Sequence, residues 1–258
     1  CSNQSHFVNG AVIAADDGRV VAELGGFPVL ARPSYVLSGA AMRVASCAPE
    51  LVRVIDRAAR VSPGYPVVIS KFERHARELE FDGIAAHGEV LLWAISEHIE
   101  DAGVHSGDAT LVLPPPGLTA ASVERVRGIA AQLCRALNVT GPFNIQLLLR
   151  DEVIKVIECN LRASRSFPLV SKVLGEDFVR AAARVMLGAP PDLEAAPQRD
   201  PLALPYVAVK APMFSFRRIT GADPILGVEM TSTGEAGCFG RTLEEALAKA
   251  LLSTGFRF

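Results

Sequence analysis

Two apolar runs separated by three polar residues constrain this chain more than any other feature. Pro142-Phe143-Asn144-Ile145-Gln146-Leu147-Leu148-Leu149 is followed by Arg150-Asp151-Glu152 and then by Val153-Ile154-Lys155-Val156-Ile157. Strand-like runs broken by a short polar triplet predict two antiparallel strands joined by a hairpin turn. The second run reads as a buried strand and delivers Glu158-Cys159-Asn160, then Leu161-Arg162-Ala163-Ser164-Arg165-Ser166. Side chains alternate along a strand, so Glu158 and Asn160 share one face while Cys159 points away, into the core. Arg162 follows on the first face if the chain stays extended. Antiparallel pairing puts Gln146 about opposite Glu158, and an even register sum points both to the same side.

A Gln carbonyl, a Glu carboxylate and an Asn carbonyl then converge from adjacent strands, next to guanidinium groups. Hard oxygen ligands beside fixed cations suit Mg²⁺ and a phosphate being transferred. The set is sparse, as expected for an ion that completes its shell with water and phosphate oxygens. Thiolate and imidazole ligands are missing, which argues against zinc. Taken alone, the same residues also fit a strand end with solvated polar side chains.

Other segments bear on a site. Pro28-Val29-Leu30-Ala31-Arg32-Pro33-Ser34 reads as a strand ending in an arginine, and Tyr35 to Met42 as a small-residue loop. Such a loop lets backbone N–H groups approach a phosphate that Arg32 can pair with, although an ordinary glycine turn fits as well. No G-x-x-x-x-G-K-[ST] string occurs. Pro66 to Phe72 reads as a buried strand. In Arg77-Glu78-Leu79-Glu80-Phe81-Asp82 the alternation sets three acids on one face. They fit either a solvated sheet face or a site in which Glu78 binds ribose hydroxyls or a cation. After the apolar strand Val90 to Ile95, the stretch Glu97 to Asp108 is dense in polar groups and reads as a site loop.

Helices punctuate these strands. Thr119 opens one with Val123, Val126, Ala130, Leu133 and Leu137 on its apolar face, and Pro49 to Arg60 forms another. A third spans about Asp177 to Leu187, with Phe178, Ala182 and Val185 inward and Gly188 ending it. Thr242-Leu243-Glu244-Glu245 opens the last with a capping-box pattern. The Pro-rich stretch from Ala189 to Pro201 reads as a surface excursion. The mixture predicts an α+β fold. A chain of 258 residues with 50% hydrophobic content can bury a sizeable core. A net charge of -2 gives no reason to expect nucleic acid or an anionic membrane as partner. No apolar run approaches the ~18 residues of a spanning helix, and no secretory signal is visible at the amino terminus. The five cysteines are dispersed and without C-x-x-C spacing, so they read as free thiols in a reducing compartment.

Four strings carry a resemblance: RPSYVLSGAAM from Arg32, EHIEDAGVHSGDAT from Glu97, GPFNIQ from Gly141 and VIECNLRASRSFPLVSK from Val156. Together with Asp223 to Met230 and Ser232 to Glu235, they resemble the large chain of carbamoyl-phosphate synthetase. The wording around Tyr35 and Val104 is similar to its second, carbamate-phosphorylating ATP-grasp unit. That resemblance implies an ATP-grasp fold, with two lobes of antiparallel sheets and flanking helices holding the nucleotide between them. It places a linker over residues 1–26, a small nucleotide-covering lobe near 27–96 and a larger metal- and acceptor-binding lobe over 97–258.

The resemblance also implies roles. Arg32 contacts nucleotide phosphates, Lys71 and Glu73 line the adenine edge, and Glu78 holds the ribose. Gly103, Val104, His105 and Ser106 line the nucleotide and acceptor pocket. Gln146, Glu158 and Asn160 bind the divalent metal, two ions of Mg²⁺ or Mn²⁺. Gln146 and Glu158 thereby touch the nucleotide as well. Arg162 steadies the carbamate or the phosphoryl group, and His105 is an orienting donor. A K⁺ site falls near Glu78, His98 and Glu100, with Ala109 where some relatives offer a hydroxyl. The substrates are ATP and carbamate, for pyrimidine or arginine supply, and the compartment is the cytoplasm or an organelle. The partners are the family's first ATP-grasp unit and a glutamine amidotransferase domain or subunit. The family's phosphate-binding arginine in a preceding lobe has no counterpart before Phe27, so the fragment alone is expected to be weakly active or inactive. Biotin-dependent or amino-acid carboxylate ligases share the Gln/Glu/Asn geometry but not the Glu97 to Thr110 string. A non-catalytic nucleotide-binding module is the remaining alternative.

Overall fold

Alternation of apolar and polar residues builds two separate antiparallel sheets in the computed structural model, which describes residues 7–8, 19–35, 40–189, 200–214 and 226–257. The chain divides into two compact units: residues 1–74, 103–106 and 221–231 form one, and 75–102, 107–220 and 232–258 the other.

The smaller unit holds β1 (Phe7–Val8), α1 (Arg19–Glu23), β2 (Val29–Pro33), β3 (Arg43–Ala45), α2 (Ala48–Val61) and β4 (Val67–Lys71). Its strands run in the order β1-β4-β2-β3. Helix α2 starts with a proline in its first turn, and Glu50 accepts the backbone N–H of Ser46 at 2.7 Å. Leu51, Ile55 and Ala58 of α2 pack on Val29, Ala31, Ala45, Val67 and Ile69. Because β2 alternates, Arg32 lies on the sheet face away from that core, half-buried.

The larger unit comprises β5 (Arg77–Ala86), β6 (Glu89–His98), β7 (Leu111–Leu113), α3 (Ala120–Leu137), β8 (Gly141–Arg150), β9 (Val153–Asn160), α4 (Phe167–Leu174), α5 (Phe178–Met186), β10 (Val207–Met213), β11 (Gly234–Gly240) and α6 (Leu243–Ser253). Its seven strands run β11-β10-β7-β6-β5-β8-β9. One face presents Leu79, Phe81, Ile95, Phe143, Ile145 and Leu147 to Val123, Val126, Ala130 and Cys134 of α3. Thr119 caps that helix by accepting the N–H of Ser122. The opposite face is apolar toward one end, where Ile84, Leu92 and Leu113 meet Phe167, Val170, Phe178 and Ala182 of α4 and α5. Helix α6, capped by Thr242, covers Val112, Val209 and Ala211.

The α+β expectation holds, and several finer expectations change. The first division between the compact units falls at 74/75. Strands β5 and β6 pair with each other, and β5 pairs with β8 along nine residues, so both belong to the large sheet. Glu97 and His98 are strand residues rather than loop residues, because β6 runs on to His98. Leu137 is exposed at the end of α3. The run Val156-Ile157 is not buried: β9 is an edge strand, and the two side chains are 44% and 38% exposed. Helix α4 is an element that sequence periodicity did not reveal. Most of the Pro-rich stretch, 190–199, lies outside the described residues.

Candidate active site

The β8–β9 hairpin turns tightly through Asp151 and Glu152, both at positive φ, while Arg150 still pairs with Val153. Arg125 and Ser122 of α3 bind the Glu152 carboxylate and so pin the turn. From there the register brings Gln146 opposite Glu158 and Asn144 opposite Asn160, as alternation requires. A bulge at Ile157 is what allows this: pairing shifts by one residue between Gln146 and Leu147. Cys159 falls opposite Ile145 and packs on the core face, so it points away from Glu158 and Asn160. Asn160 Nδ2 donates to Glu158 Oε1 at 3.0 Å. Both side chains are half-buried. The strand ends at Asn160 in a bend, so Arg162 does not continue the row. It is exposed, and its Nη1 donates to the carbonyl of Ala163 at 3.2 Å.

The row continues inward. Glu80 lies opposite Gln146, and Asp82 opposite Asn144. The three acids of β5 are not on a solvated face: Glu78, Glu80 and Asp82 are 4%, 2% and 1% exposed. Asn144 Nδ2 donates to Asp82 Oδ1 at 2.9 Å and to Glu80 Oε2 at 3.2 Å. With both amide hydrogens committed to β5, its carbonyl oxygen is directed away from those carboxylates. His98 Nε2 lies 3.0 Å from Glu80 Oε1, and its Nδ1 lies 3.7 Å from Glu78 Oε2. Lys210, buried in β10, adds a cation to the same face through the His98–Leu111–Lys210 register. Sequence reasoning missed Lys210 and Asn144. A lysine inside the apolar run Val207-Ala208-Val209-Lys210-Ala211 was the available signal.

Burial and pairing compete in this cluster. Burial disfavours charge on Glu80, but the His98 hydrogen bond and the charges of His98 and Lys210 outweigh it and hold the carboxyl below its usual range. Burial, reinforced by the charge of Glu80, pushes the Asp82 carboxyl up to about 7, against hydrogen bonds with Ser164 and Asn144. Burial also opposes charge on His98, yet the Glu80 hydrogen bond and the charges of Glu78 and Glu80 raise it on balance. Burial lowers Lys210, countered in part by Glu80 and Glu235. Asp82 Oδ2 and Ser96 Oγ are buried without a hydrogen-bond partner. Glu100 is engaged with Thr110, accepting from its N–H and its hydroxyl, each at 2.8 Å.

In the smaller unit, Lys71 Nζ donates to the carbonyls of Gly25, Gly26 and Phe27 at 3.3, 2.8 and 3.2 Å. Its ammonium therefore staples that turn to β4. Gly103 has φ +119°, and a Cβ there would lie 2.7 Å from the Phe72 ring, so only glycine fits. The His105 N–H donates to the carbonyl of Gly227 at 2.7 Å. Val104, His105, Ser106 and Glu73 are all half-buried. Val36 to Gly39 of the small-residue loop, and Asp223 to Ile225, lie outside the described residues.

Among the described residues no group of three or more His, Cys, Asp or Glu side chains is placed to hold a metal ion. The Gln146, Glu158 and Asn160 set is instead one carboxylate with two amides. Asn160 spends its N–H on Glu158, which leaves its carbonyl oxygen as the available end. An all-oxygen set of this kind fits a hard divalent cation that keeps water or phosphate in its shell.

Residues 4–194 match the family described as carbamoyl-phosphate synthase L chain, ATP binding domain. The chain belongs to that family. It is 54% identical over 232 residues to the multifunctional protein ura1 of Schizosaccharomyces pombe, covering 90% of this chain and 10% of that protein. It is 51% identical over 234 residues to the mitochondrial carbamoyl-phosphate synthase [ammonia] of Mus musculus, covering 90% of this chain and 16% of the relative. The chain thus spans only a small part of the curated relatives it matches. Its fold is similar to that of a Hydrogenobacter thermophilus 2-oxoglutarate carboxylase biotin carboxylase domain crystallised with MgADP and bicarbonate. The TM-score is 0.71 at 16% identity, over 93% of this chain and 59% of that one. An N5-carboxyaminoimidazole ribonucleotide synthetase from Thermus thermophilus gives 0.66, also at 16% identity, over 96% and 65%. These likenesses establish an ATP-grasp-type fold. No described helix is long and apolar enough to cross a membrane.

Proposed function

We propose that this chain is the carbamate-phosphorylating ATP-grasp unit of a carbamoyl-phosphate synthase, an ATP-dependent ligase that makes carbamoyl phosphate and ADP. The row formed by Gln146, opposite Glu158, and Asn160, bonded to Glu158, at the open edge of the sheet supports an ATP-dependent ligase, and the wording around Tyr35 and Val104 is what favours the carbamate-phosphorylating unit. These three side chains would hold Mg²⁺, or Mn²⁺, in up to two ions. The metal would supply positive charge at the phosphate oxygens, where transfer depends on positioning and electrostatic stabilisation. Arg32 and Arg162 are assigned to the phosphates and the group in flight, and Lys71 and Glu73 to the adenine edge through their backbone. Gly103 to Ser106 line the nucleotide and acceptor pocket, with the His105 side chain as an orienting donor. Carbamate is already an anion, so little proton transfer is required of the protein.

Glu78, which faces His98, is assigned to the ribose hydroxyls or to the family's K⁺ site. We assign the units as a nucleotide-covering part and a metal-binding part. The parent protein would join this unit to a first ATP-grasp unit and a glutamine-hydrolysing partner, and serve pyrimidine supply in the cytoplasm.

The test is Glu158→Gln in the full-length protein, because a neutral amide cannot replace the charge at a divalent ion. ATP formation from ADP and carbamoyl phosphate is expected to fall roughly 10²-fold or more, the scale of losing one preorganised electrostatic group. Bicarbonate-dependent ATP hydrolysis, assigned to the other unit, is expected to persist. Loss of the bicarbonate-dependent reaction with ATP formation intact would instead make this the first unit. Retention of both would refute the site.

A further inference from the structure

We propose that Ser232 is a positioning residue for phosphoryl transfer, its hydroxyl locking Arg165, and with it the loop that carries Arg162, to the backbone at Gly107. The proposal rests on the function proposed above. Arg162 is exposed and bonds to the carbonyl next to it, a contact that moves with the loop and cannot set its place. The loop from Leu161 to Ser166 follows the end of β9 and precedes α4, where the Ser164 and Ser166 carbonyls accept from the N–H groups of Phe167 and Val170. Side-chain contacts tie it to the rest of the larger unit. Ser164 Oγ accepts the Ser166 N–H at 3.1 Å and hydrogen-bonds with Asp82. Arg165 Nη1 donates to Ser232 Oγ at 3.0 Å, and Arg165 Nε lies 3.4 Å from Glu235 Oε2.

Ser232 is the hub of this arrangement. Its hydroxyl accepts from Arg165 while donating to the carbonyl of Gly107 at 2.9 Å. Its own N–H donates to Asp108 Oδ1 at 2.8 Å, and Asp108 is fully buried. Gly107 and Ser232 are also where the chain re-enters the larger unit, after 103–106 and after 221–231. One hydroxyl therefore joins three segments. A hydroxyl can donate and accept at once, which an alkyl group cannot do. With the oxygen removed, Arg165 keeps Glu235, but both partners half-exposed make that a weak tether. A small displacement of a charged group from its transfer geometry is costly, since a misplacement of about 1 Å can cost roughly 10²-fold in rate.

The experiment uses the full-length protein and follows ATP formation from ADP and carbamoyl phosphate for Ser232→Ala, Ser232→Thr and Glu158→Gln together. Ser232→Ala is expected to lower kcat by roughly 10-fold or more while the KM for ADP stays within about twofold. Ser232→Thr keeps the hydroxyl and is expected to return kcat to within about threefold of wild type. Should the alanine variant not fold, Ser232→Cys, of similar size but a weak donor, carries the same expectation. A kcat for the alanine or cysteine variant within about twofold of wild type would overturn the proposal. So would equal losses in the alanine and threonine variants, which would mark a purely structural residue. If Glu158→Gln also retains the reaction, the functional reading and this proposal fall together. If Glu158→Gln loses it and Ser232→Ala does not, the positioning role alone is wrong.

Discussion

On one face of the seven-stranded sheet, Phe81, Phe143 and Ile145 meet α3. On the other, one residue further along the same strands, Glu80, Asp82 and Asn144 meet one another. Both sets are almost wholly buried. The first is held by apolar area and ring packing, with Phe81 5.7 Å from Phe143 and 5.9 Å from Trp93. The second is held by charges that must balance, since a buried ion is tolerated only when paired. The comparison teaches that a buried polar face need not itself be the reactive surface. Glu80 and Asp82 are committed to His98, Asn144 and Ser164, whereas Glu158 and Asn160, two strands away at the edge, remain half-open.

The difference can be tested with the urea unfolding of the larger unit, followed through the fluorescence of Trp93, the one tryptophan of the chain. Phe143→Ala should have the largest effect, a loss of about 4 kcal/mol, because it empties a fully packed site. Lys210→Met should come next, at about 3 kcal/mol, because it strands buried carboxylates without their cation. Adding Glu80→Gln to Lys210→Met should recover part of that loss, while adding it to Phe143→Ala should not. Recovery in both backgrounds would erase the distinction between the faces.

The effect expected from Asp82→Asn is visible only against pH. Asp82 is raised from 3.8 to about 7 on folding, so its contribution to stability is full below about pH 4 and drains away as pH approaches 7. Wild type should therefore lose stability relative to Asp82→Asn across that window. Parallel pH profiles for the two proteins would show that Asp82 does not titrate in the folded state as described.

The sequence displayed the hairpin well and the sheet's interior poorly. Gln146 and Glu158 were expected about opposite each other if the register sum was even, and the bulge at Ile157 is what brings that pairing about. The bulge at Ile157 leaves no mark in composition, and neither does the edge position of β9 that leaves Val156 and Ile157 exposed. Glu78, Glu80 and Asp82 were aligned correctly on one face. That face's burial depends on β6, β8 and the distant β10, and no local pattern reports such neighbours. His98 looked like a loop residue because polar neighbours masked the end of β6. Helix α4 was missed because it spans only eight residues. Its signals, Pro168 in the first turn and Gly175 after the end, are legible only once the strand before it is known to stop at Asn160. The roles of Ser232 and Asp108 could not be read either, since their contact joins residues 124 apart in sequence.

Acids on the same sheet face thus divide into buried Glu80, paired within the fold, and edge Glu158, proposed above as a metal ligand. The most direct measurement compares Glu80→Gln and Glu158→Gln in two assays. One is Trp93-monitored urea unfolding of the 258-residue chain, and the other is ATP formation from ADP and carbamoyl phosphate by the full-length protein. A crossed pattern is expected. Glu80→Gln should lose about 3 kcal/mol of stability yet keep the reaction within roughly fivefold while folded. Glu158→Gln should unfold at the wild-type urea concentration and lose roughly 10²-fold or more in rate. The two variants ranking in the same order in both assays would contradict it.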